Sequence, residues 1–83
     1  MKIYFVHAEW CSPCKLMEKK LEQLTNGGIE FDLVEIDVDK NIEFCRKNNI
    51  THIPTLIVEK DDKKIKIVGN KTLDEIKELI QNG

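Results

Sequence analysis

The sequence predicts a small α/β sandwich whose elements run β-α-β-α-β-β-α. Three observations carry that expectation. The chain opens on a nearly continuous apolar run, two later segments repeat apolar residues at helical spacing, and Val34, Ile36 and Val38 alternate with Glu35, Asp37 and Asp39. A continuous run marks a strand covered on both faces, and helical spacing marks an amphipathic helix with one apolar stripe. A period of two marks a half-buried strand.

Taken in order, residues 2–8 are rich in aromatic and β-branched types, as a central strand requires. From Ser12 onward Leu16, Met17, Leu21 and Leu24 line one helical face among Lys and Glu. Asn26-Gly27-Gly28 ends that helix, because glycine tolerates the left-handed conformation of a C-terminal cap. Residues 29–38 read as the second strand, and a short helix spans roughly residues 41–48. Pro54 has no N–H to give to a ladder, so residues 50–53 do not lie deep in a central strand. Residues 55–59 and 64–68 form a hairpin across Lys60-Asp61-Asp62-Lys63, and Gly69-Asn70 breaks the chain again. Thr72 with Glu75 forms a capping box that opens a last helix, with the stripe Leu73, Ile76, Leu79 and Ile80. The first strand-helix-strand unit pairs its strands in parallel through a right-handed crossover.

Composition bounds the possibilities. The 83 residues suffice for one domain, residues 1–83. Area scaling for this mass leaves about 64% of the unfolded surface buried on folding, enough for a thin core. With 13 basic and 15 acidic side chains the net charge is −2, and no basic cluster interleaves with aromatics, which argues against a nucleic-acid partner. No apolar run approaches the ~18 residues of a membrane span. The N-terminal run Ile3-Tyr4-Phe5-Val6 is shorter than a signal-peptide core of about 7–15 residues, so a cytoplasmic location is expected. The 3 cysteines are an odd number for a disulfide framework, and must be explained by chemistry or packing. Nothing demands more than a monomer.

The chemistry concentrates in Trp10-Cys11-Ser12-Pro13-Cys14-Lys15, at the junction of the first strand and first helix. A helix's first turn presents unpaired N–H groups and partial positive charge, so a thiolate at Cys11 is stabilised there and nucleophilic near neutral pH. Pro13 suits a first helical turn. Cys14, one turn on, is placed to attack a mixed disulfide held on Cys11. A bond closing so short a loop removes only about 2 kcal/mol of chain entropy, against roughly 4–5 for a long loop, and is readily exchanged. Lowering a thiol pKa from about 8.5 to about 7 raises the thiolate fraction roughly fifteen-fold. Reduced intrinsic nucleophilicity leaves a net gain of about three-fold. The larger benefit is a good leaving group and a poised redox couple. The competing reading makes the pair half of a zinc site completed by His7, His52 or Cys45, none of which has zinc-knuckle spacing.

The segment from Ala8 to Lys15 resembles the active-site segment of thioredoxins, with Ser12 where that family usually carries glycine. Ile53-Pro54-Thr55 resembles the family's cis-proline segment, Val68-Gly69 its glycine loop, and Asp37-Val38-Asp39 falls where expected before the second helix. The resemblance runs through nearly the whole chain but lacks the family's extra N-terminal strand and helix. It implies a minimal, glutaredoxin-sized thioredoxin fold, a four-stranded mixed sheet of order 2-1-3-4 flanked by three helices. It also implies a cis Pro54 that sets the Ile53 backbone beside the cysteines, to bind an incoming peptide as an added strand. The base rate of proline favours trans instead. Trp10, Ile53 and Gly69 are expected to line a shallow apolar groove for protein substrates.

Two positions depart from the family. Its buried aspartate in the first strand is Phe5 here, and Glu35 stands where a lysine usually partners that aspartate. One expectation is that Glu35, buried and therefore a stronger proton acceptor, replaces the missing acid. The competing one is a solvated strand carboxylate beside Asp37. His7 and His52 either help hold a thiolate or are merely packed or solvated, and Cys45 reads as a buried hydrophobe.

The resemblance implies a thiol–disulfide oxidoreductase that reduces protein disulfides. Cys11 attacks, Cys14 releases the product, and a thioredoxin-reductase-like flavoprotein or glutathione restores the dithiol. No site for a cofactor of its own is legible, and no metal site is assigned. One alternative is a glutaredoxin-like, glutathione-dependent enzyme. Ser12-Pro13 replaces that family's Pro-Tyr, and the loop at residues 69–72 lacks its Gly-Gly and acidic contacts. A non-enzymatic zinc or iron–sulfur module using the same cysteines is the other.

Overall fold

In the computed structural model, which describes residues 1–82, each sequence pattern becomes one element. They are β1 (Lys2–His7), α1 (Ser12–Asn26), β2 (Asp32–Asp37), α2 (Ile42–Lys47), β3 (Thr55–Lys60), β4 (Lys63–Val68) and α3 (Leu73–Asn82). The expected order is borne out, and so is the sheet, β2-β1-β3-β4. β1 pairs parallel with β2 and antiparallel with β3, and β4 returns antiparallel to β3.

Register explains the continuous apolar run of β1. Ile3 and Phe5 lie opposite Val58 and Leu56, and these share one face with Ile67. That face packs on Met17, Leu21 and Leu24 of α1 and on Ile76 and Ile80 of α3, forming the core. Tyr4 and Val6 point the other way, and Tyr4 meets Phe44 of α2 with ring centroids 5.5 Å apart. A strand covered on both faces has no polar side to offer.

The helix ends follow local chemistry. Gly28, at φ +90°, lets the chain reverse so that Gly28 N–H donates to Thr25 O and Ile29 N–H to Leu24 O, both at 3.1 Å. These are the two bonds of a Schellman cap. They also hold residues 29–31 outside the sheet, so β2 starts at Asp32 and not at 29. At α3, Glu75 N–H donates to Thr72 Oγ1 and Thr72 N–H to Glu75 Oε1, each at 3.1 Å, as the capping box predicts. The hairpin strands run one residue further than expected, around the tight turn Asp61-Asp62, with Asp61 at φ 56°. Leu16 leaves the α1 stripe and is 55% exposed, its expected place on that face falling to buried Cys14. Leu79 is likewise exposed, so the buried stripe of α3 narrows to Ile76 and Ile80. No helix among the described residues is long and apolar enough to cross a membrane.

Candidate active site

The buried end of β1 delivers the cysteines. After Ala8 the chain turns, with Cys11 N–H donating to Ala8 O at 3.2 Å, and Cys11 becomes the N-cap of α1 in an extended conformation. Pro13 sits in the first turn, and no acidic side chain is there to oppose an anion. The Cys14 N–H donates to Cys11 Sγ at 3.2 Å. A sulfur thus occupies the position where a serine or aspartate oxygen usually caps a helix, and the donor and the helix dipole both favour negative charge on it. Cys11 and Cys14 are joined as a disulfide, their Cα atoms 5.3 Å apart, and are only 5% and 3% exposed.

Around the pair, Trp10 is 69% exposed, a large apolar surface beside a buried sulfur. Its ring is anchored by Nε1–H donating to Asp39 Oδ2 at 3.0 Å. Asp39 is itself oriented by its N–H, which donates to Asp37 Oδ1 at 2.9 Å. Trp10 and Ile53 line one shallow groove of about 230 Å³, with Cys45 and His52 along it. The Ile53–Pro54 bond is cis and Pro54 is buried. Gly69 lies next to Pro54, its N–H donating to Pro54 O at 2.9 Å, and takes φ +80°, a conformation side chains resist. Asn70 then reaches back, its Nδ2–H donating to Pro13 O at 3.1 Å, and ties this loop to the first turn of α1. Trp10 and Ile53 are therefore brought together on one groove, and Gly69 is tied by its N–H to Pro54, the residue that follows Ile53.

Of the two expectations for Glu35, its exposure matches the solvated strand carboxylate and not the buried acid. Glu35 is exposed, because β2 is an edge strand and its ladder partner Phe5 fills the core position instead. Glu35 nevertheless lines a cleft of about 270 Å³ together with Cys14, Phe5, His7 and Glu18. His7 stacks on Phe5 with ring centroids 4.8 Å apart, and His52 is exposed beside Thr51 Oγ1. Cys45 is free and half-buried rather than fully enclosed, and that burial pushes its thiol pKa up, which keeps it protonated. No group of three or more His, Cys, Asp or Glu among the described residues is arranged to hold a metal ion.

A family model described as thioredoxin matches residues 2–82. The chain belongs to the thioredoxin family. Thioredoxin of Bacillus subtilis is 40% identical over 75 residues, covering 88% of this chain and 72% of that protein. Thioredoxin of Mycobacterium tuberculosis H37Rv is 37% identical over 81 residues, covering 90% and 70%. Among solved structures, the oxidized mitochondrial thioredoxin 3 of Saccharomyces cerevisiae superimposes with a TM-score of 0.84 at 28% identity, over 98% of this chain and 76% of that one. A mutant thioredoxin of Halobacterium salinarum gives 0.85 at 28%, over 98% and 72%. With its CxxC pair at the mouth of α1, this member of the family is a thiol–disulfide oxidoreductase that reduces protein disulfides through a dithiol/disulfide couple.

Two supports of the site escape a reading of the sequence. The local signal for Asp39 is the Asp-x-Asp spacing, since an aspartate often accepts from the N–H two residues on, as Asp37 does from Asp39. Its bond to Trp10 spans 29 positions and has no local signature. The same holds for Asn70 and Pro13, 57 positions apart.

Proposed function

We propose that this protein works as a single chain in the cytoplasm, taking electrons from a flavoprotein reductase and passing them to protein disulfides, with Cys11 as the attacking sulfur. The bond from Cys14 N–H to Cys11 Sγ at the helix N-terminus carries the assignment of roles. It favours the thiolate on Cys11, whereas Cys14 lies inside the first turn. The Cys11 thiolate attacks one substrate sulfur, forms a mixed disulfide and expels the other as a thiolate. Cys14 loses its proton, attacks Cys11 Sγ, and the second substrate sulfur leaves reduced. Two electrons from the donor then reopen the Cys11–Cys14 bond.

The substrate segment lies along the groove between Trp10 and Ile53, its main chain beside Ile53 as an added strand. Cis Pro54 presents that backbone, and Gly69 backs Pro54 without a side chain. The loop at Gly69-Asn70 favours a protein donor over glutathione, because its polar side chain is committed to Pro13 O and no acidic residue stands there.

The test is insulin-disulfide reduction, run with NADPH and a thioredoxin reductase and separately with glutathione and its reductase. Turnover in the first arm alone is expected. Turnover in the glutathione arm alone reassigns the donor. Silence in both arms and with dithiothreitol, together with stoichiometric bound metal, overturns the reductase in favour of a metal-carrying module.

A further inference from the structure

β4 ends the sheet, and its far side pairs with no strand among the described residues. Continuing the β3–β4 register, Gly69 falls opposite Pro54 and donates its N–H there. Residues bonded in this way recur at every second position of an antiparallel ladder. Lys63, Ile65 and Ile67 therefore turn their backbone toward β3, while Lys64, Lys66 and Val68 turn N–H and C=O outward. The side chains alternate in step. Lys64, Lys66 and Val68 lie opposite Glu59, Ile57 and Thr55 on the α2 side of the sheet, and Ile65 and Ile67 lie on the α3 side.

The two sides of this edge differ in chemistry. On the α2 side Lys64 and Lys66 are exposed, and Lys66 Nζ–H donates to Asn48 O at 2.6 Å and Asn49 O at 3.3 Å. An ammonium has three donors, so one remains. The same bonds bring the end of α2, with exposed Lys47, beside the strand. Glu59 faces Lys64 across the ladder, which leaves Lys66 and Lys47 as the excess positive charge. On the other side Ile65 and Leu79 line a cavity of about 490 Å³ between β4 and α3, rimmed by Lys71, Glu75, Glu78 and Asn82. Leu79, which the buried stripe of α3 leaves out, has a place as a wall of this cavity.

We propose that the β4 edge is a docking surface for an extended segment of a partner protein in which acidic and apolar residues alternate. The segment adds a fifth strand through the outward groups of Lys64, Lys66 and Val68. Its acids stand opposite Lys64 and Lys66, and the apolar residue between them, opposite Ile65, enters the cavity at α3. Ile65 and that residue form a pair without mutual hydrogen bonds, the kind in which facing side chains come closest. Charge selects the occupant. Lysines along an edge keep it from pairing with a second copy of itself, whereas acids opposite them are attracted. A second copy can offer its acidic β2, with Asp32, Glu35 and Asp37, but that contact joins unlike edges, leaves one free at each end and builds open chains. A foreign segment fills one edge and stops there. Val68 leads into Gly69, which is tied to Pro54 next to Ile53, so this edge runs up to the cysteine groove.

The probe is a fluorescent peptide of alternating glutamate and valine, matching the 6 residues of β4. It is titrated by polarisation into the protein in its disulfide form, so the outcome does not depend on turnover. We expect saturable binding, with the amides of Lys64, Lys66 and Val68 newly protected from hydrogen exchange and those of Ile65 and Ile67 protected with or without peptide. The double variant Lys64→Glu/Lys66→Glu should bind it about tenfold more weakly or worse, and should bind a lysine–valine peptide instead. Lys66→Pro removes an outward N–H that the ladder does not use, so it should fold, and should bind the peptide more weakly than Lys66→Ala. Circular dichroism checks the fold of each variant, and the Lys66 pair decides alone should the double variant not fold. Absence of saturable binding overturns the proposal. So does equal binding of a peptide with the same composition but its glutamates grouped at one end, or protection that appears along β2 and not β4. Sedimentation in which the protein alone builds longer chains as concentration rises gives the edge to a second copy, and overturns it too.

Discussion

Reducing the Cys11–Cys14 bond should make the fold measurably less stable, and the structure bounds by how much. The bond joins residues at sequence separation 3, so it closes a four-residue ring. Loop closure over so few residues removes about 6 cal/mol/K from the unfolded chain, or about 2 kcal/mol at 25 °C. An opposing effect acts on the reduced protein. There the Cys11 thiolate gains the Cys14 N–H and the positive end of α1, worth about 0.3–1 kcal/mol. The cross-link wins, leaving the oxidised form ahead by about 1–2 kcal/mol. For a domain this small each kcal/mol moves the midpoint by about 4–8 °C, so oxidised protein should melt about 4–16 °C above reduced. Thermal unfolding followed by circular dichroism, with and without a non-thiol reductant, measures the gap. A Cys45→Ala background prevents the half-buried third thiol from exchanging with the pair. A reduced form that melts at the same temperature as the oxidised one, or above it, refutes the reasoning.

Other outcomes follow from single contacts. Thr72→Ala removes the side-chain half of the capping box on α3 and should cost about 1 kcal/mol in urea unfolding. The Thr72 backbone N–H holds the Glu75 carboxyl below the usual glutamate range, so Glu75 stabilises the fold above that range and the contribution fades as pH falls through its folded value. Glu75→Gln should therefore be less stable than the parent at neutral pH, with the gap closing progressively below about pH 4. Leu24→Ala, at a fully buried site under the sheet, should cost about 2–5 kcal/mol and threaten folding altogether. Trp10→Ala should leave stability within about 0.5 kcal/mol, since the ring is mostly exposed. It should lower kcat/KM for a protein disulfide by about tenfold while sparing a small aromatic disulfide. Cys14→Ser should accumulate reductant-sensitive adducts on Cys11, read by mass spectrometry, and their absence would contradict the order of attack.

The fold was legible because its periodicities are clean. β1 reads as doubly covered, the Thr72–Glu75 box marks the start of α3 to the residue, and the glycine pair stops α1. What misled was local. Ile29 and Phe31 look like strand residues by type, but the Schellman bonds of the preceding cap engage Ile29 at the helix end, and pairing begins only at Asp32. Leu16 looks like stripe, yet the buried face runs through Met17 and, one turn before it, Cys14. Within the site, the cysteine pair was plain from its place between a buried strand and a helix. The environment of Glu35 stays open between buried and solvated, since nothing along β2 itself says that it ends the sheet; only the resemblance supplies that order. That fact depends on which strands pair, and pairing is decided by segments far away along the chain.

The sheet order has a consequence for synthesis. β1 is flanked on both sides by strands that come later in the chain, with Val6 paired to Ile36 and to Thr55. A polypeptide leaving the ribosome therefore presents both thiols well before the segments that enclose them. During that interval the sulfurs have neither the groove nor Pro54 to filter what they meet, and small cellular disulfides can reach them freely. The nascent chain is thus chemically least selective at its youngest, and discrimination arrives only when the hairpin closes over the far side.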